Sequence, residues 1–153
     1  PLEMPTEAAD WEEPARLRDA AIGQGNLTVS PLQMALVAGT IANDGTMPAP
    51  RMALRIEGDQ HWQGTNAVGK PHLVISESRA NDLRAAWSEF GESGTRGHLG
   101  MAVAGQNQRP HAWFLGIRRT GASRYAVAVL LEHPDQVDQA ATVGVSLLEA
   151  ATD

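Results

Sequence analysis

Residues 99–132 read LGMAVAGQNQRPHAWFLGIRRTGASRYAVAVLLE. Three stretches of this run, Leu99 to Ala104, Ala112 to Arg118 and Arg124 to Glu132, have the alternation and the β-branched and aromatic content of strands. Short connections separate them, at Gln106 to Pro110 and at Thr120-Gly121-Ala122. Loops of this length join antiparallel neighbours. The third stretch is apolar from Tyr125 through Leu131 rather than at every second position, so both of its faces need cover. Immediately downstream, Pro134-Asp135 opens an amphipathic helix with Val137, Ala141, Gly144, Leu148 and Ala151 on one stripe, which should lie across the sheet.

Upstream of this run the punctuation is just as sharp. Ser30 is placed to cap a helix, Pro31 suits its first position, and Gln33 completes a capping box. Leu32, Met34, Leu36, Val37 and Ile41 make that helix apolar almost all round, which predicts burial on most sides. Asn43-Asp44-Gly45 stops it. Met52, Leu54 and Ile56 alternate with Ala53 and Arg55 and predict a short strand. Gly58 to Lys70 reads as a loop or hairpin tip, and Leu73-Val74-Ile75 as a second short strand. Ser76 or Ser78 caps a helix to about Phe90, with Leu83, Trp87 and Phe90 on one face, before the glycine-rich connection Gly91 to Gly97. The sum is an α+β domain: a small antiparallel sheet, three C-terminal strands plus minor strands, with helices packed on it.

The 153 residues form one domain, and 42% hydrophobic with 20% charged residues is an ordinary globular balance. A formal charge of −6 argues against nucleic acid or an anionic membrane as partner. The absence of cysteine removes disulfides, thiolate metal sites and thiol nucleophiles together. No apolar run reaches the roughly 20 residues that span a bilayer, and no signal peptide stands at the start. Pro1 to Ala21 is an acidic, proline-punctuated lead-in carrying Glu3, Glu7, Asp10, Glu12, Glu13 and Asp19, with a helix expected from about Glu12 to Ala21. A chain that opens at Pro1 rather than Met is expected to come from something longer.

Chemistry-bearing residues are sparse in pattern. His61, His72, His98, His111 and His133 form no i, i+4 pair on an expected helix, so no metal site is expected, and nothing implies a cofactor. Glu12-Glu13 sit in the least core-like segment, which disfavours a paired-carboxylate mechanism. Ser30, Ser76 and Ser123 have no accompanying base and orienter. Lys70 is the only lysine among twelve Lys and Arg, so an amine that can lose its proton is available at one place only.

One stretch goes beyond composition. Ile22-Gly23-Gln24-Gly25-Asn26-Leu27-Thr28-Val29-Ser30-Pro31-Leu32-Gln33-Met34-Ala35 resembles a signature of the penicillin-binding transpeptidases, which cross-link peptidoglycan: a G-Q-G turn leading into a [TS]-P-L-Q-M-A helix. Gly23, Gln24, Gly25, Pro31 and Gln33 carry this part of the likeness. Ile41-Ala42-Asn43-Asp44-Gly45 is similar to the family's end of that helix, Pro48 to the lead-in after it, and Gly94-Thr95 to a G-T pair ahead of its active-site strand. Val103-Ala104-Gly105 resembles the V-A-G that precedes the family's K-T-G motif. His111 to Gly116 and Tyr125 to Val129 resemble the next two strands. The likeness is collinear from about Ile22 to Ala151, with residues 1–21 as lead-in and 22–153 as a partial transpeptidase-like domain.

The departures bear on activity. The resemblance implies a serine nucleophile in S-x-x-K, whose lysine takes the serine proton. Here the residue three before Lys70 is Ala67, and no serine has Asn two positions on, so S-x-x-K and the second motif, S-x-N, are both absent. In the family both lie upstream of the G-Q-G turn, so a late start alone would remove them. The third motif, K-[TS]-G, has its region present, yet after Val103-Ala104-Gly105 stand Gln106-Asn107-Gln108 and then Arg109-Pro110. Gly105, Gln106 and Asn107 therefore mark a degenerate active-site strand, and the permanently charged Arg109 is a poor substitute for the lysine. The resemblance thus implies a non-catalytic, extracytoplasmic element of cell-wall assembly, or alternatively the C-terminal part of an active D,D-transpeptidase or carboxypeptidase whose nucleophile lies upstream or in another chain. It also implies a five-stranded sheet with two strands from the domain's beginning. Tyr125 to Glu132 would then be an apolar edge that pairs with another chain, a copy of this one or the upstream part. Peptidoglycan and other cell-wall proteins are further expected partners.

Overall fold

The structure, a computed structural model, describes residues 29–51, 53–57, 61–91, 94–104 and 109–151. The acidic lead-in, its expected helix and the G-Q-G turn lie outside the described residues. Helix α1 spans Pro31–Ala42. The Ser30 hydroxyl accepts from the Gln33 N–H at 3.2 Å, and the Gln33 side-chain oxygen accepts from the Ser30 N–H at 2.7 Å, which is the capping box the sequence predicts. The helix ends at Asn43, and Asp44 and Gly45 follow with φ of 54° and 89°. A Cβ on Gly45 would lie within 3.0 Å of the Ile75 carbonyl, so this turn needs glycine for space as well as for its backbone.

After this turn come two small antiparallel pairs. Strand β1 (Thr46–Met47) pairs with β4 (His72–Leu73), and β2 (Arg55–Glu57) pairs with β3 (Trp62–Gly64). The strands expected at 52–56 and 73–75 are thus shorter and shifted, and Leu54, Ile56 and Leu73 are exposed. Helix α2 covers Glu77–Ala86, with the Ser76 hydroxyl accepting from the Arg79 N–H at 3.3 Å.

The expectation that this helix continues to Phe90 is corrected. It ends at Trp87, and Ser88–Phe90 forms strand β5. The reason is packing. Trp87 joins the cluster of Ala38, Ile41, Leu115 and Ile117, while Phe90 joins that of Ala112, Phe114 and Val129. These clusters lie on opposite faces of the main sheet, and one helical stripe cannot serve both.

The main sheet runs β5-β6-β7-β8, antiparallel throughout, with β6 Thr95–Ala104, β7 Arg109–Thr120 and β8 Ser123–Glu132. Helix α3 (Gln139–Ala150) packs on one face and α1 on the other. Along β7, Ala112 and Phe114 point to α3, and Leu115 and Ile117 to α1, as strand alternation requires. On β8, Val127, Val129 and Leu131 serve the α3 side and Ala128 the α1 side. This two-sided apolar strand is sandwiched, as its sequence implies.

Two expectations about the covering helices are revised. α1 buries Ala38, Thr40 and Ile41 but leaves Val37 exposed, because the sheet meets only one of its sides. α3 begins at Gln139 rather than at Pro134, although Val137 already packs into the core.

Phe114 is fully buried and meets Phe90 edge to face, ring centroids 5.1 Å apart. A Cβ on Gly97, Gly116 or Gly144 would come within 3.0 Å of its ring. Gly97 and Gly116 are direct cross-strand partners, and Gly144 belongs to α3. The ring thus occupies a socket floored by two strand glycines and roofed by one helix glycine. Phe114→Ala is expected to cost about 3–5 kcal/mol in urea unfolding. Gly144→Ala should destabilise by about 1–3 kcal/mol through overpacking, although alanine is the better helix former by about 1 kcal/mol. A stabilised Gly144→Ala would contradict the socket.

Candidate functional site

Of the residues singled out in the sequence, Pro31 and Gln33 are described, and both serve the start of α1. Gly23, Gln24, Gly25, Gly105, Gln106 and Asn107 lie outside the described residues. The ends of β6 and β7 that flank 105–108 pair as Ala104↔Arg109. β5 covers the outer edge of β6 only opposite Thr95, Arg96 and Gly97. The hydroxyls of Ser30 and Ser76 are engaged as helix caps, which is a structural use rather than that of a nucleophile.

A second feature lies at the opposite end of the β6–β7 hairpin, where β6 starts, β7 ends and β8 starts. A cleft of about 210 Å³ there is lined by Arg84, Arg96, Arg118, Arg119 and Arg124 together with Asp44. The fold accounts for the convergence. Antiparallel pairing sets Arg96 opposite Ile117, Arg118 opposite Tyr125 and Arg119 opposite Arg124. The α1 stop brings in Asp44, and the last turn of α2 brings in Arg84.

One Asp44 carboxylate oxygen lies 2.8 Å from Arg84 and the other 2.8 Å from Arg124. Arg84 also donates to the Ile41 carbonyl at the end of α1 and to Asn81, and Arg124 donates to Asn43 at 3.1 Å. Arg96 pairs with Glu89 and donates to the Arg84 carbonyl at 3.3 Å. Arg118 donates to the carbonyls of Leu148 and Glu149 at 2.7 and 3.2 Å, where the negative end of the α3 dipole favours a cation. Burial alone would push the Asp44 carboxyl up. The hydrogen bond from Arg84 and the charges of Arg124 and Arg84 outweigh it, and the carboxyl sits below its ordinary value.

The sequence reading missed this cleft. Part of it was accessible, because a tight turn at Thr120-Gly121-Ala122 already sets Arg119 and Arg124 near one another. The contributions of Arg84 and Asp44 depend on helix placement and carry no local signal.

A sheet with helices on both faces, preceded by a capped S-P-L-Q-M-A helix, is an α+β arrangement of the kind the sequence resemblance implies. The family model for the penicillin-binding protein transpeptidase domain matches residues 1–148, and the chain belongs to that family. It is similar to the peptidoglycan D,D-transpeptidase PbpA of Mycolicibacterium smegmatis, 26% identical over 147 residues, covering 87% of this chain and 30% of that protein. It is also similar to PbpA of Mycobacterium tuberculosis, 28% identical over 157 residues, covering 90% of this chain and 32% of that protein. The crystal structure of PBPA from Mycobacterium tuberculosis superimposes with a TM-score of 0.70 at 25% identity, over 89% of this chain and 35% of that one. The chain thus spans about a third of the length of the curated relatives it matches. No helix among the described residues is long and apolar enough to cross a membrane.

Asp44→Asn removes the charge while keeping a residue that tolerates positive φ. Because the folded-state pKa is depressed, the stabilisation is complete above the unfolded-state value of about 3.9 and is lost as pH falls through the folded value. Thermal unfolding should show the variant less stable at about pH 7, with the two proteins converging below about pH 4. A gap that stays constant into acid would assign the effect to something other than the carboxylate charge.

Proposed function

We propose that this chain is a non-catalytic, penicillin-binding-protein-like element of peptidoglycan synthesis that works outside the cytoplasmic membrane as a binding or scaffolding module. The observation that carries the reading is the sequence after Val103-Ala104-Gly105. There the family's K-[TS]-G is replaced by Gln106-Asn107-Gln108 in a region that is present. Without the third motif's cation a substrate carboxylate loses a charge-assisted contact.

The binding role rests on the sheet edge. β8 ends the order of described strands, and only β7 pairs with it. An unpaired edge is a template for another strand, and we assign that place to another chain, either a second copy or the upstream part of the domain. Val127 packs with the Phe114 cluster, so a charge placed there would strike the core as well as the edge. Ala126 is exposed and is the cleaner place for a disruptive substitution.

A second reading is favoured by length. The relatives are named D,D-transpeptidases and the chain spans about a third of each, which fits the C-terminal part of an active enzyme whose nucleophile lies upstream. Intact-mass spectrometry after incubation with a reactive β-lactam tests the first reading. No adduct is expected under conditions that acylate a competent family member, and a stoichiometric adduct would overturn it. An S-x-x-K in upstream coding sequence would favour the second reading.

A further inference from the structure

The arginine cleft holds more positive charge than its neighbours neutralise. Arg84, Arg96, Arg119 and Arg124 line it from the α1 face of the sheet, and the carboxylates paired with them are those of Asp44 and Glu89. Arg118 reaches away to the carbonyls that end α3, and Arg119 donates to the Gly121 carbonyl at 3.4 Å. Among the described residues, Arg119 forms no ion pair with Asp44 or Glu89. Register sets Arg119 directly opposite Arg124, and like charges directly across a strand pair are destabilising. In a chain whose formal charge is −6, such a concentration of cations is not a by-product of composition.

We propose that this cleft is an anion-binding site for a small ligand carrying phosphoryl groups. Guanidinium forks match phosphate oxygens in bidentate fashion, and they stay charged at any physiological pH. A concave site lined by one sign of charge also concentrates counter-ions. At about 210 Å³ the cleft is smaller than the roughly 300–1,000 Å³ of sites for drug-sized ligands, so it takes a free diphosphate or a phosphorylated headgroup rather than a whole large substrate. Asp44 is part of the design: by holding Arg84 and Arg124 it leaves Arg119, which shares their face of the sheet opposite Arg124, as the cation an incoming anion meets without a carboxylate bridge. The site owes nothing to the degenerate 105–108 segment and stands whether or not the peptidoglycan reading holds.

Isothermal titration of the full chain with inorganic pyrophosphate at low salt tests this. Saturable binding at one site per chain is expected. Arg119 is exposed and donates to the Gly121 carbonyl of its own turn, so Arg119→Ala should keep the wild-type circular dichroism and weaken binding by about tenfold or more. Arg51 is exposed and lies outside the cleft. Arg51→Ala removes the same net charge and is expected to bind as the wild type does. Absence of saturable binding, or an equal loss in the two variants, would overturn the proposal in favour of diffuse electrostatics.

Discussion

The seating of Phe114 is the constraint on which the other placements depend. Its ring lies flush between sheet and helix only because Gly97, Gly116 and Gly144 present no side chain to it. That contact sets how closely α3 approaches β7. Once Gly144 is fixed over the ring, Leu148 follows one helical turn later, and the C-terminal carbonyls of α3 arrive beside Arg118. The buried aromatic thus determines where a cation on the neighbouring strand end finds its partners. Dispersion and burial supply the energy, while the missing methyl groups supply the geometry.

On the other face of the sheet, a single carboxylate has a comparable organising role. Asp44 follows α1 in a backbone conformation that L-residues rarely adopt, and its two oxygens tie α2 to the start of β8. Half-exposed ion pairs contribute little singly. Here one acid serves two arginines, which in turn donate to Ile41 and Asn43, so the contacts form a connected network rather than isolated pairs. Neither partner could be exchanged for lysine without losing the second bond.

Much of the architecture was legible in the sequence because its signals were local. The capping box at Ser30, the stop at Asn43-Asp44-Gly45, and the three C-terminal strands with their tight connections each follow from residues within one turn or one hairpin. The two-sided apolar run of β8 was readable for the same reason, since it registers neighbours on both faces. What failed depended on distant partners. Trp87 and Phe90 stand three apart, as on a helix face, but the two clusters that claim them lie on opposite sides of the sheet, and only the fold reveals this. The apolar surface of α1 suggested fuller burial than one sheet face provides. The arginine cleft was half legible, through the β7–β8 turn, and half hidden in the docking of two helices. Family membership was readable because a collinear run of motifs needs no tertiary knowledge.

The place of β8 at the end of the described strand order has a consequence for how the protein would behave as a population of molecules. Between Tyr125 and Leu131 the strand carries no charge and no proline, the devices by which edge strands ordinarily discourage wrong pairing. On the side away from β7, where no other described strand pairs with it, its backbone would accept any strand that meets it. On the pairing proposed above, whether a given molecule ends in a productive complex or in a disordered assembly becomes a race between two encounters, one first order in the partner and the other second order in the chain itself. Supply relative to partner, rather than intrinsic fold stability, then governs how long a solitary copy survives.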